Sequence, residues 1–440
     1  MRLKELIEDR AYYNGYAYSY PHKMAYRPFA TPKSLKALWK DELKRNLFLY
    51  VHIPFCEMRC GFCNLFTVAN PKAEIQNPFL TALFSQMEAS REALGDDFNF
   101  SNFALGGGTP TYLSAEELTL LFDRTKTLLN VDTRQTNSAI EVSPKTITDD
   151  KIALLKERGM FRVSMGVQSM IEAEVKAMGR PQKLDEVKRA IEALKAADFP
   201  LLNFDLIYGA ENQTKESWQY SLKTMVDIAP EEIFLYPLYV RPLTGLGKQG
   251  KDWDDFRFQL YQQGRDFLME NGYRQLSMRQ FKKETAPDFM HPDYKTHKDG
   301  MMGLGAGARS YTEFTHYSHD YAVGSKGVKQ IIHNYNQSTK ADFETVKYGF
   351  NLNLEEKKRR FVIKCLCEGA GLSYQEYQQL FGELPIVDFP QLQELIDLNL
   401  VEESTTHLQL NKEGKSLEDV IGPWLYSEAV EEAMGKFELS

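Results

Sequence analysis

From Leu47 to Asn271 the chain repeats one unit: a short β-branched or aromatic run, a polar or glycine-rich turn, then a helical stretch. The runs Leu47–Ile53, Asn102–Leu105, Ala139–Val142, Phe161–Val167, Leu201–Ile207 and Ile233–Leu238 read as strands. Between them, Asn77–Ala93, Ala115–Leu129, Thr148–Arg158, Ile171–Met178 with Leu184–Ala197, and Lys215–Asp227 read as helices, and Asp254–Asn271 as one more after the last strand. Strands that alternate with helices pair in parallel, with the helices as crossovers. The expected class is therefore α/β. Six units closing part-way give an open (β/α)6 barrel, where eight would complete the ring.

The flanks have a different texture. Residues 1–45 are rich in Tyr, Pro and Lys and show no clear period, so they read as an extended or partly helical arm. The barrel and an extension occupy residues 46–350. From Asn351 onward come helix candidates Leu354–Glu368, with Gly369 and Gly371 beside its end, Ser373–Phe381 and Phe389–Leu398. Two short strands, Leu400–Glu402 and Leu408–Leu410, follow. Residues 351–440 thus suggest a mostly helical, winged-helix-like domain. Winged helices often bind DNA, but a net charge of −8 and the Glu-rich C-terminal segment argue against nucleic acid as a partner. No apolar run approaches the ~20 residues of a membrane helix. The charged start Met1–Glu5 lacks the apolar stretch of a signal peptide. A cytoplasmic protein without a membrane span is expected.

Cys56, Cys60 and Cys63 fall in a C-x3-C-x2-C pattern directly after the first barrel strand. Three thiolates on one loop can ligate three irons of a [4Fe–4S] cube and leave the fourth open to a non-protein ligand. A zinc site with His52 as fourth ligand is the alternative, but zinc knuckles favour paired spacings, and no second pair exists. Cys365 and Cys367, two apart on a helix candidate, read as core residues or a semi-exposed thiol.

Around the cysteines stand Leu49-Tyr50-Val51-His52-Ile53-Pro54-Phe55-Cys56 and Gly106-Gly107-Gly108-Thr109-Pro110-Thr111-Tyr112-Leu113. Further on come Ile140–Pro144, Arg162–Ser169, Asn203–Gly209 and Gly303–Ala308. In this order they resemble the radical S-adenosylmethionine (SAM) superfamily, and within it the family of oxygen-independent coproporphyrinogen III oxidase. That family also holds heme chaperones, heme-degrading methyltransferases, and radical methylases and cyclopropanases. The resemblance implies a partial (β/α)6 radical SAM barrel, a [4Fe–4S] cluster and SAM. It also implies an oxidoreductase-like activity in porphyrin metabolism, in which SAM is cleaved to a 5′-deoxyadenosyl radical that attacks an organic substrate of the tetrapyrrole type. Methyl transfer, cyclopropanation and a heme carrier without turnover are the alternatives. An electron donor such as flavodoxin or ferredoxin would be the protein partner.

The oxidase holds two SAM molecules, so one or two are expected. Matched motif by motif, Tyr50, Gly107 and Glu141 would contact the cluster-bound SAM. Phe62, Gly108, Thr109, Gln168, Arg180, Asp205 and Tyr239 would surround the other. Glu141 is expected to end its strand, with Gln168 and Asp205 at the ends of the next two; Asp205 could take ribose hydroxyls. Three departures stand out. Leu65 replaces the oxidase's fourth cysteine. Arg309 follows the glycine-rich stretch where an apolar residue is expected, and could hold a substrate carboxylate, or a SAM, or pair with Glu313. His291-Pro292-Asp293-Tyr294 occupies roughly the place of the chaperones' histidine–asparagine segment. His316, His319 and His333 read as plain polar residues, with heme ligation by His316 and His319 as the alternative.

Overall fold

The computed structural model describes residues 2–13, 15–16, 19–240, 244–247, 256–291, 294–369 and 371–438. Among the described residues thirteen strands form one sheet. They are β1 (Arg27–Ser34), β2 (Leu47–Ile53), β3 (Phe100–Gly107), β4 (Asn137–Val142), β5 (Arg162–Gln168), β6 (Leu201–Tyr208), β7 (Glu232–Pro237), β8 (Tyr273–Gln275), β9 (Gln280–Lys283), β10 (Met301–Leu304), β11 (Arg309–Tyr311), β12 (Thr315–Ser318) and β13 (Thr345–Asn351). Their spatial order is β1-β13-β12-β11-β10-β2-β3-β4-β5-β6-β7-β9-β8. Strands β2 to β7 are parallel in sequence order, as the alternating pattern predicts. The end strands β1 and β8 are not neighbours, so the barrel stays open.

Three features differ from expectation. A seventh parallel strand, β10, pairs with β2; its glycine-rich continuation Gly303–Ala308 hides any strand pattern. The N-terminal segment contributes β1, paired antiparallel to β13, and helices Leu3–Glu8 and Leu35–Trp39. β1 carries Pro28 and Pro32, which cannot donate ladder bonds and suit a sheet edge. The helix expected over Phe389–Leu398 starts only after Pro390, at Leu392, and ends at Asp397; a separate short helix, Pro385–Asp388, precedes it. The helix after β7 is described over Arg257–Glu270; the expected start at Asp254 lies outside the described residues.

Alternation along the strands shows which face does what. Leu47, Leu49, Val51 and Ile53 of β2 are fully buried under the helices, while Phe48 and Tyr50 on the other face are half-buried. Phe103 and Leu105 alternate likewise with Asn102 and Ala104, and Ile233 and Leu235 with Phe234 and Tyr236. A parallel sheet covered on both faces is apolar throughout. Here only the outer face is. The inner face mixes aromatic side chains, Phe48, Tyr50, Phe234 and Tyr236, with polar ones, Asn102, Glu141 and Asp205, and these are only partly buried.

The C-terminal elements have their own core, with Phe361, Leu366, Tyr377, Leu395, Leu408 and Val420 at its centre, and Leu3 and Tyr20 of the N-terminal segment packed into it. Strands Leu372–Ser373, His407–Leu410 and Val401–Glu403 form a small antiparallel sheet beside the helices. Cys365 and Cys367 are buried in this region as core residues. A buried ion pair joins core to barrel: Arg279, before β9, donates to both oxygens of Asp419 on helix Glu418–Trp424 at 2.8 and 2.6 Å. Both side chains are at most 3% exposed. Asp419→Ala leaves a buried guanidinium uncompensated and should lower stability by about 3–5 kcal/mol in urea unfolding. The double change Arg279→Met with Asp419→Leu should recover most of that loss. An unchanged urea midpoint for Asp419→Ala would show the pair to be idle.

Candidate functional site

The three cysteines occupy the loop after β2, bracketed by the short parallel pair Phe55–Cys56 and Val68–Ala69. All are free thiols, half-buried. Each has a polar neighbour: Thr109 Oγ1 donates to Cys56 Sγ at 3.7 Å, Arg180 Nη1 to Cys60 Sγ at 3.4 Å, and Thr67 Oγ1 lies 3.9 Å from Cys63 Sγ. Burial pushes the Cys56 thiol up to about 12 and raises that of Cys63. Thiolates here therefore need a strongly cationic partner, which iron supplies. His52 is not available as a zinc ligand. Its Nε2 lies 2.9 Å from the Phe66 carbonyl, and its Nδ1 lies 3.2 Å from the Tyr50 hydroxyl. Since a carbonyl can only accept, Nε2 carries the proton and Nδ1 accepts from Tyr50. Among the described residues no three His, Cys, Asp or Glu side chains gather closely enough to cage one ion. The trio suits a larger cube that holds its thiolates apart.

The turn after β3 is built against this loop. Gly108 N–H donates to the Ile53 carbonyl and Thr109 N–H to the Phe55 carbonyl, both at 2.8 Å. A Cβ on Gly108 would lie 2.5 Å from the Phe55 oxygen and 2.9 Å from Cys56 Sγ. Gly107 has φ +112°, and a Cβ there would meet the His52 ring at 2.7 Å. These glycines let the turn touch the cysteine loop. Gly107 N–H also donates to Glu141 Oε2 at 3.1 Å.

Glu141 is open to water yet has protein on every side, as befits a group lining an internal cavity. Burial and the charge of Asp205 push its carboxyl up to about 7. Burial likewise lifts Asp205 to about 6, against the Asn203 amide and the cations Arg162 and Arg180. Asp205 is not at a strand end as expected. It lies mid-strand in β6, because that strand runs on to Tyr208, and so it points into the interior rather than standing at the rim. Two raised, neighbouring carboxylates favour a cationic ligand, and SAM is one. Gln168 does end β5. It is buried and holds φ +71°, a strained value for a non-glycine residue.

Arg180 links these groups, with Nε on Gln182, Nη1 on Cys60 and Nη2 on the Gly166 carbonyl. Phe62 packs against the apolar cluster of Val175, Met178, Ile207 and Leu246. Tyr50, Gly107, Gly108, Thr109, Glu141 and Arg180 thus connect directly to the cysteine loop or its turn. Tyr239 and Arg309 connect instead to the N-terminal segment. Tyr239 packs 6.4 Å from Tyr13, ring to ring, and its hydroxyl receives a bond from Arg279 and donates to Asp419. Arg309 Nη1 donates to Ser19 Oγ at 3.1 Å, and Glu313 pairs with Lys357 instead. Of the segment His291–Tyr294, Pro292 and Asp293 lie outside the described residues. Sequence reasoning missed His52 as the group that orients Tyr50; period-two alternation puts both on one face and could have found it. It also missed Glu57, whose Oε1 accepts from Ser143 Oγ at 2.8 Å and ties the cysteine loop to the end of β4.

Residues 50–225 match the Radical SAM superfamily. The chain is 27% identical over 384 residues to the oxygen-independent coproporphyrinogen III oxidase of Pseudomonas aeruginosa, covering 83% of this chain and 81% of the relative. It is 26% identical to the heme chaperone HemW of Bacillus subtilis, covering 86% of this chain and 98% of that one. The solved coproporphyrinogen III oxidase (HemN) of Escherichia coli superposes with a TM-score of 0.78 at 24% identity, covering 95% and 98% of the two chains. That likeness establishes the fold, including the helical C-terminal region. The domain's cofactors are a [4Fe–4S] cluster and SAM, and the thiols and carboxylates described above fit them. Among the described residues no helix is long and apolar enough to cross a membrane.

Proposed function

We propose that this radical SAM protein cleaves SAM reductively and directs the resulting radical at a tetrapyrrole held inside the open barrel. The observation that carries this reading is the convergence of three thiols, Gly106–Gly108 and Glu141 at one end of an accessible inner face. Cys56, Cys60 and Cys63 would hold the cluster. When bound and reduced, such a cluster would supply the electron needed to break the sulfonium bond. Glu141, itself fixed by Gly107 N–H, would take the SAM ammonium. Tyr50, its proton committed to His52, presents its oxygen lone pairs as a further acceptor. Asp205 and Gln168 would hold hydroxyl or amino-acid groups deeper in. Phe62, Gly108, Thr109, Arg180, Tyr239 and Arg309 would complete the walls, with room for a second SAM as part of the same proposal. Phe48, Tyr50, Phe234 and Tyr236 give the inner face the aromatic surface that a flat macrocycle stacks on. Flavodoxin or ferredoxin would be the electron source.

A second reading is supported by the similarity to HemW along nearly all of that protein, and by Leu65 in place of a fourth cysteine. Here the chain would carry heme without turnover. The separating experiment is anaerobic. Reconstituted, reduced protein should convert SAM to 5′-deoxyadenosine, and coproporphyrinogen III should then release carbon dioxide. S-adenosylhomocysteine as product would mean methyl transfer. Heme binding with no 5′-deoxyadenosine under any substrate would overturn the enzymatic reading.

A further inference from the structure

We propose that Glu174 is a positioning residue for SAM binding: through Ser169 it holds the backbone kink that lays the Gln168 amide on the inner face of the barrel. The inference rests on the proposed contact between Gln168 and SAM, and adds what keeps that amide in place.

Gln168 breaks the ladder at the end of β5. Gly166 pairs with Asp205 of β6, yet Gln168, two residues on, pairs with Leu206, only one residue on. Ser169 N–H donates to the Val167 carbonyl at 2.9 Å, which closes a three-residue turn around Gln168 at φ +71°. A γ-turn of this hand is rare, and strained in a residue other than glycine. Irregularities of this kind re-aim a side chain. Along a regular strand, positions two apart share a row but stand about 6.6 Å from each other. Here the Gln168 side chain folds back down that row: a Cβ on Gly166 would lie 2.4 Å from Gln168 Nε2 and 3.8 Å from Arg180 Nη1. The amide therefore occupies the space that a side chain at position 166 would fill, beside Asp205.

A strained turn persists only where its surroundings hold it, and Glu174 supplies the hold. Ser169 Oγ donates to Glu174 Oε2 at 2.6 Å and accepts from Ile171 N–H at 3.0 Å. Glu174 lies on helix Glu172–Ala177 and is 4% exposed. Its carboxylate also receives Gln213 Nε2 at 3.0 Å and Ser217 Oγ at 2.5 Å. Among the described residues no cation pairs with it; three neutral donors hold it by short, charge-assisted bonds. Gln213 Oε1 in turn accepts from Gly209 N–H at 2.6 Å, just beyond β6, and Ser217 belongs to helix Lys215–Ile228. One carboxylate thus ties the end of β5 to the end of β6 and to the helix that follows. The bonds to Gln213 and Ser217 would suffice to fasten helix Glu172–Ala177. The bond to Ser169 does something else: it pins the residue next to Gln168. Without it Ser169 can relax, the turn opens towards ordinary extended backbone, and the amide leaves Gly166.

The test is a double-mutant cycle on SAM affinity, measured by equilibrium dialysis with the full-length, anaerobically reconstituted protein. It compares wild type, Gln168→Ala, Glu174→Gln, Ser169→Ala, and the last two combined with Gln168→Ala, with iron content and circular dichroism confirming folded, loaded protein. Gln168→Ala should weaken SAM about three- to tenfold, the scale of one neutral hydrogen bond. Glu174→Gln and Ser169→Ala should approach the same loss, yet add less than about twofold in the Gln168→Ala background. A carboxylate of purely structural role would lower the urea midpoint in both backgrounds without this coupling. Losses that multiply in the double variants, or wild-type affinity in Ser169→Ala, would overturn the positioning role and leave the Gln168 contact standing. Wild-type affinity in Gln168→Ala would overturn that contact and the positioning role with it. If Glu174→Gln does not fold, Ser169→Ala decides alone, since it cuts the link and keeps the bonds of Glu174 to Gln213 and Ser217.

Discussion

Alanine at Cys56, Cys60 or Cys63 should abolish the cluster outright. Anaerobic reconstitution of the wild-type chain should give about four irons per chain with broad visible absorption, and each alanine variant should fall to background iron. The expected loss is near complete because two thiolates cannot retain a cube whose third corner opens to water, and no other donor is at hand. Cys365 and Cys367 are buried in the C-terminal core, His52 is committed to Phe66 and Tyr50, and position 65 is leucine. Cys365→Ser is the control and should keep its iron. Gly108→Ala should behave almost as badly as the cysteine variants, since its methyl group would press on the Phe55 carbonyl and on Cys56 Sγ. Full iron and sulfide in any single cysteine variant would remove the loop from the cofactor site.

The second large effect concerns Glu141. SAM affinity of the reconstituted protein should rise by up to about tenfold per pH unit below neutrality and level off above it, because the carboxylate must be ionised to meet a cation. Glu141→Gln should weaken SAM binding by about ten- to a hundredfold at pH 8, the scale of one charge-assisted hydrogen bond, and flatten the pH profile. Stability should move the other way. The folded-state value of about 7 lies above that of an unfolded glutamate, so this group's contribution is fully present below the unfolded value of 4.5 and is lost as pH rises through about 7. Cofactor-free Glu141→Gln should therefore melt higher than wild type at pH 8, and the difference should shrink towards pH 5. Glutamine that bound SAM with wild-type affinity and the same pH dependence would place the ammonium elsewhere.

The parallel strands could be read from sequence because each buries a continuous outer row of Val, Ile, Leu and Phe between two turns, a local signal. The cysteine loop could be read for the same reason: its three thiols lie within eight residues, Cys56 to Cys63. What escaped was assembled over distance. β1 has prolines and exposed side chains, and becomes a strand only because β13 offers it an edge. β10 owes its strand to β2, not to its own glycine-rich sequence. Asp205 was recognised as acidic and close to a strand end, but its depth depends on how far β6 runs, which the pattern fixes poorly. Tyr239 matched a motif, whereas its clamp by Arg279 and Asp419 joins residues that nothing local connects.

The pairing of β1 with β13 also has a consequence for synthesis on the ribosome. Strands β2 to β7 can zip together in the order in which they emerge, each finding its neighbour already made. The opening forty residues cannot. β1 waits for residues 345–351, Tyr20 for Glu356 and Ser427, and Arg27 for the carbonyl of Ala433. Residues 20–34 are thus among the last of these elements to find their places, and they fasten only once residues 345–433 have been released.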